Sequence, residues 1–190
     1  MENSLSDSDR KYLLSLARET ITYAVNRKPL PDLHKDQLSP TLTKIGASFV
    51  TLKINGELRG CIGSLEAHQS LVEDVQEHAV QAALEDYRFP PVSIGEVPHL
   101  KIEISRLTVP VPLKYEYPLD LKDLLNPPVD GVILKDGFRR ATFLPQVWQQ
   151  IPDPEVFLSH LCAKMGASAD LWRHKVLEVM IYHVEEFEEE

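Results

Sequence analysis

A thiol two residues from a guanidinium, with glycines close on either side, is the arrangement in this chain with the clearest capacity for chemistry: Leu58-Arg59-Gly60-Cys61-Ile62-Gly63. The thiolate is the nucleophilic form of cysteine and a neighbouring cation favours it. Cys61 is therefore the candidate nucleophile or covalent carrier, and Arg59 the residue that activates it. Gly60 and Gly63 let a ligand or another backbone approach closely. The competing reading is a small residue packed in a strand, where free cysteines usually lie. A nucleophilic cysteine needs a base within hydrogen-bond reach; none is adjacent in sequence, which leaves His68, His78 and His183 as residues able to approach in space. Arg59, Arg88 and either Arg139 or Arg140 are candidates to converge on an anion, because planar guanidinium groups suit phosphate and carboxylate. The alternative is that each makes local salt bridges. His34, His99, His160 and His174 lack metal-ligand spacing, and so do the two cysteines, so neither a metal site nor a cofactor is expected. Asp86 and Glu103 read as solvated carboxylates rather than as an acid or base.

The elements that must carry these residues follow from local pattern. Asn55-Gly56 separates two runs of apolar and β-branched residues, the strongest short-range signal for a two-residue hairpin. The motif then lies on the return strand, where strict alternation would put Glu57, Arg59 and Cys61 on one face. Before it, Ser6 to about Asn26 has helical spacing of Leu13, Leu16, Ala17, Ile21 and Val25, capped by Ser6 or Ser8. Pro29, Pro31 and Pro40 then predict a long extended connection over 28–43, a length that suggests it covers a site. Ser70-Leu-Val-Glu73 has the form of a capping box and predicts a helix ending near Asp86. Leu100 to Ser105 alternates as a half-buried strand. Val109 to Pro128 is punctuated by proline, with one short helix near Leu119–Leu125. Asp136-Gly137 predicts a second hairpin, whose return strand carries Arg139 and Arg140 to opposite faces. Asp153-Pro154 starts a helix that Gly166 ends, and Val176 to Phe187 reads as a strand.

The six-residue motif resembles the signature of the AMMECR-one family. The resemblance continues through Asp86-Tyr87-Arg88-Phe89-Pro90-Pro91, Leu100 to Ser105, Arg139 to Val147 and the segment from Phe157 to Trp172, in the family's order and spacing. It implies an α+β fold of antiparallel sheets with helices packed on one face, in two subdomains. We read residues 1–190 as a single AMMECR-one-like domain. Its larger lobe would be formed by the N-terminal helix, first hairpin and C-terminal strand, and its smaller lobe by the middle of the chain. The resemblance supplies no reaction. It points to a Memo-like protein and a radical-SAM protein as partners, which accompany prokaryotic relatives. The sequence departs from the usual family form at Tyr87, where proline commonly follows the aspartate.

Two functions fit these residues. One is an enzyme or enzyme component that holds a small anionic or nucleotide-like substrate in an inter-lobe cleft, with Cys61 and Arg59 catalytic and Gly60, Gly63, Arg88 and Arg139 binding substrate. The other is a non-catalytic module whose motif surface docks a protein partner or RNA. At 190 residues, 43% hydrophobic and 26% charged, the chain reads as an ordinary soluble domain with room for a substantial core. The net charge of −9 disfavours generic nucleic-acid binding. No run approaches the roughly eighteen apolar residues of a membrane span. The polar, acidic start lacks the pattern of a signal peptide, and two cysteines make no disulfide framework, so the expected compartment is the cytoplasm.

Overall fold

The structure, a computed structural model, describes residues 4–190; Met1–Asn3, the opening of the polar start, lie outside the described residues. The elements in order are α1 (Asp7–Val25), α2 (Pro40–Thr43), β1 (Ile45–Ile54), β2 (Glu57–Gly63), β3 (Gln69–Ser70), α3 (Leu71–Leu84), β4 (Lys101–Leu107), β5 (Val111–Pro112), α4 (Leu121–Leu124), β6 (Gly131–Asp136), β7 (Arg139–Phe143), α5 (Pro154–Lys164), α6 (Leu171–His174), β8 (Glu178–Tyr182) and β9 (Val184–Glu188). The fold is α+β with two antiparallel sheets. The chain divides into two compact units, one running to Leu107 and taking in Glu185–Glu190, the other spanning Thr108–Val184.

The first unit is built on the strand order β2-β1-β4-β9, with β3 attached to β1. Alternation along β1 and β4 sends Val50, Leu52, Ile102 and Ile104 to one face, fully buried under α3 and α1. Both helices start where the sequence supplies caps. Ser6 and Asp9 form a capping box at α1, and Ser70 and Glu73 form one at α3, each cap being worth about 1 kcal/mol. Lys35 makes an ion pair with Glu73 at 2.5 Å, tying the proline-rich connection to α3. The acidic end of the chain is not a free tail: its carboxylates are used along the sheet, Glu185 on Arg106 at 3.1 Å and Glu188 on Lys101 at 2.9 Å, while Glu189 holds Arg18.

The second unit has strand order β5-β8-β6-β7. Its core places Val132, Leu134 and Val179 against Phe157, Leu158, Leu161 and Cys162 of α5, with Trp148 stacked on Phe157 at 3.6 Å between centroids. Asp153 caps α5 by accepting from the amides of Glu155 and Val156, and Gly166 ends that region at φ +77°. The stretch expected as one terminal strand over 176–187 is two strands, β8 and β9, broken at His183 and joining different sheets.

Candidate functional site

The β1–β2 turn is the two-residue hairpin the sequence predicts, with Asn55 at φ 53° and Gly56 at φ 83°. From Gly60 to Gly63 the register is regular, with Cys61 opposite Thr51 and Gly60 opposite Leu52. Between Leu52 and Lys53 it shifts, because Leu58 pairs with Lys53 and Arg59 is left as the extra residue of a bulge. A bulge interrupts alternation, so Glu57, opposite Ile54, does not share the face of Cys61 as strict alternation would have it. Cys61 pairs with Thr51 and so lies on the face away from the helices. Its sulfur accepts a hydrogen bond from the Thr51 hydroxyl at 3.2 Å, and the residue is partly exposed.

Gly60 and Gly63 have structural reasons to be glycine. A Cβ on Gly60 would lie 2.2 Å from the carbonyl oxygen of Ala82 in α3, and one on Gly63 would lie 2.4 Å from the Phe49 ring. The small residues of α3, Ala79, Ala82 and Ala83, let its backbone come down onto β2 at this point.

β2 is an edge strand, and the backbone of Cys61 turns outward from the sheet. Its amide donates to Asp86 Oδ2 at 2.9 Å, and its carbonyl accepts from Arg88 Nη2 at 2.9 Å. Arg88 also donates from Nε and Nη2 to both oxygens of Asp86, at 2.9 and 2.6 Å. One carboxylate and one guanidinium thus take the places of a strand's carbonyl and amide. Asp86, expected as a solvated carboxylate, is only 5% exposed. The Arg88 hydrogen bonds hold its carboxyl well below the usual carboxylate range, with the Cys61 amide adding to them and desolvation opposing.

Arg59 donates to both oxygens of Glu96, at 2.7 and 3.3 Å. Glu96 also accepts from the Ser93 amide and hydroxyl. The guanidinium, ahead of the Ser93 donors, lowers the Glu96 carboxyl to about 2. Arg59 and Arg88 flank the Phe89 ring at 6.0 and 5.6 Å, so two of the signature arginines are brought together, each with a carboxylate of its own. Between Asp86 and Arg88, Tyr87 is 93% exposed. Arg139 belongs to the second unit, where it donates to the Gly166 carbonyl at 3.3 Å.

The three histidines able to serve as bases have other partners. His78 is buried on α3, its Nδ1 3.1 Å from Asp74, which also accepts from Ser48 at 2.6 Å on the helix-facing side of β1. His68 is exposed, 3.8 Å from Glu66, and His183 of the second unit lies 3.0 Å from Asp130. Glu96 and Phe89 are the partners that the sequence reading missed. The Ser93-x-x-Glu96 spacing, a capping-box pattern, is the signal that points to Glu96. Among the described residues no group of three or more His, Cys, Asp or Glu is placed to hold a metal ion, and no helix is long and apolar enough to cross a membrane.

The sequence matches the family model described as AMMECR1 over residues 14–187. Among curated proteins it is similar to one from Methanopyrus kandleri, 35% identical over 100% of this chain and 93% of that protein. Another, from Thermofilum pendens, is 34% identical over 97% and 92%. Among solved structures it is similar to the crystal structure of an uncharacterized protein from Pyrococcus horikoshii, with a TM-score of 0.79 and 32% identity, covering 98% of this chain and 94% of that one.

Proposed function

The chain belongs to the AMMECR1 family, and from that premise we propose that it is a non-catalytic binding module whose signature surface docks a partner protein. The carrying observation is that Arg59 and Arg88 are each closed on a carboxylate of this chain, while Tyr87 stands exposed between Asp86 and Arg88. Two cations balanced by two anions leave little field for a small anion. An exposed tyrosine on a fixed turn, with arginine beside it, has the composition of an interface anchor. The resemblance in sequence makes a Memo-like or a radical-SAM protein the partner to try. The test is calorimetric titration of each with the full chain. Tyr87→Ala is expected to weaken binding about thirtyfold, in line with an anchor of roughly 2 kcal/mol, and to leave the melting temperature unchanged. Equal affinity for the variant, or no binding of either protein, rejects the docking reading.

A second reading is favoured by the partly exposed Cys61 thiol on the face free of helices. In it Cys61 carries or attacks a substrate, with the Thr51 hydroxyl orienting the sulfur. Cys61→Ser separates the two. The docking reading expects both complex formation and turnover by the assembled partners to survive. Retained binding with lost turnover assigns the function to the thiol.

A further inference from the structure

The tip of the β6–β7 hairpin in the second unit holds a different chemistry. Asp136 pairs with Arg139, so the turn residues are Gly137, at φ 61°, and Phe138. Phe138 is fully exposed, at 109% of its reference area, and no packing role accounts for it. Arg139 donates to the Gly166 carbonyl at 3.3 Å, and Lys164 to the Thr142 carbonyl at 2.9 Å. A carbonyl is neutral, so neither bond balances a cation; the Asp136 carboxylate opposite Arg139 is shared with Lys175, and Lys164 lies over the Phe143 ring at 5.0 Å. Lys135 and Lys175 nearby are balanced by Glu178 and Asp136, and Arg140 has an interaction of its own. In a chain of net charge −9, Lys135, Arg139, Lys164 and Lys175 outnumber the two carboxylates set among them, Asp136 and Glu178. At about 3.4 Å per residue, Phe138 to Thr142 is a track of about 14 Å.

We infer that the β6–β7 hairpin docks a single-stranded polynucleotide, with Phe138 stacking on a base and Arg139 and Lys164 holding adjoining phosphates. Stacking on an aromatic side chain accepts any base, and the cations supply the backbone attraction. An acidic peptide would use the cations and leave Phe138 idle. A bilayer needs several apolar side chains at one level, and the turn offers one.

The experiment is fluorescence anisotropy of a labelled single-stranded oligoadenylate with the full chain, titrated at low and at physiological salt. Saturable, salt-weakened binding is expected. Phe138→Ala should weaken it about fivefold or more without moving the melting temperature, since the ring packs on nothing. Arg139→Gln and Lys164→Gln should each weaken it and flatten its salt dependence. Absence of saturable binding overturns the inference, as does full affinity in Phe138→Ala. Displacement of the oligonucleotide by polyglutamate at matched charge would assign the surface to acidic protein, and binding to phosphatidylserine vesicles without oligonucleotide binding would assign it to membrane. Either outcome also rejects the inference.

Discussion

Gly60→Ala is expected to destabilise the first unit by about 3 kcal/mol or more, the upper range for overpacking. The added methyl would sit 2.2 Å from the Ala82 carbonyl oxygen and 3.2 Å from its carbonyl carbon. Both are backbone atoms of α3, so no side-chain rotation relieves the contact. The helix must lift from β2, and it carries Leu71, Val72, Val75, Ala79, Ala82 and Ala83 of the core with it. For a protein of this size the loss corresponds to a fall in Tm of roughly 6–12 °C. Gly95→Ala is the control, because a methyl there meets nothing within 4 Å. Urea unfolding of the two variants side by side decides the matter. Equal midpoints would mean that α3 yields freely and that the glycine has no packing role.

Removing the Asp86 carboxylate is the second large effect. Asp86→Ala leaves the Cys61 amide without its acceptor and strips the Arg88 guanidinium of its carboxylate, leaving it the bond to the Cys61 carbonyl. Breaking a fully buried pair costs about 3–5 kcal/mol; Arg88 is partly exposed and recovers some hydration, which brings the expected cost to about 2–3 kcal/mol. The pH dependence has a defined sign. The folded-state pKa of Asp86 is depressed, so on acidification the unfolded chain takes up its proton first, near pH 3.9. Stability from this group is complete above that range and declines below it. Glu96, lowered to about 2, acts in the same direction between roughly pH 4.3 and 2. The urea midpoint of the native chain should therefore fall from pH 5 toward pH 3, and the gap between it and Asp86→Asn should narrow over the same interval. A gap that stays constant with pH would show that the carboxylate charge contributes nothing.

The features legible in the sequence were those set by neighbours a few residues apart. Asn55-Gly56 and the Ser70–Glu73 and Asp153-Pro154 caps specify local geometry, and with hydrophobic alternation in β1 and β4 they are enough for an α+β fold of antiparallel sheets with helices on one face. What alternation could not show is the bulge at Arg59, because it depends on the register of the opposite strand. The same limit hid the partners of the signature: Asp86 and Cys61 are 25 residues apart, and Arg59 and Glu96 are 37 apart. The second hairpin shows a subtler miss. Asp136-Gly137 signals a turn correctly, yet the central pair is Gly137-Phe138, because an aromatic residue is expected to face inward and nothing local says that this one does not.

The clamp on Cys61 has a consequence for two copies of the chain. With Asp86 and Arg88 in place, the outward amide and carbonyl of Cys61 are occupied. Without them, β2 would be a bare edge, open to the same strand of a second molecule. Antiparallel self-pairing centred on Cys61 would set the two Cα atoms about 5.5 Å apart, inside the separation a disulfide spans. The pair of side chains that holds this strand in place therefore also closes the edge position at which strand pairing would bring the Cys61 thiols of two copies together.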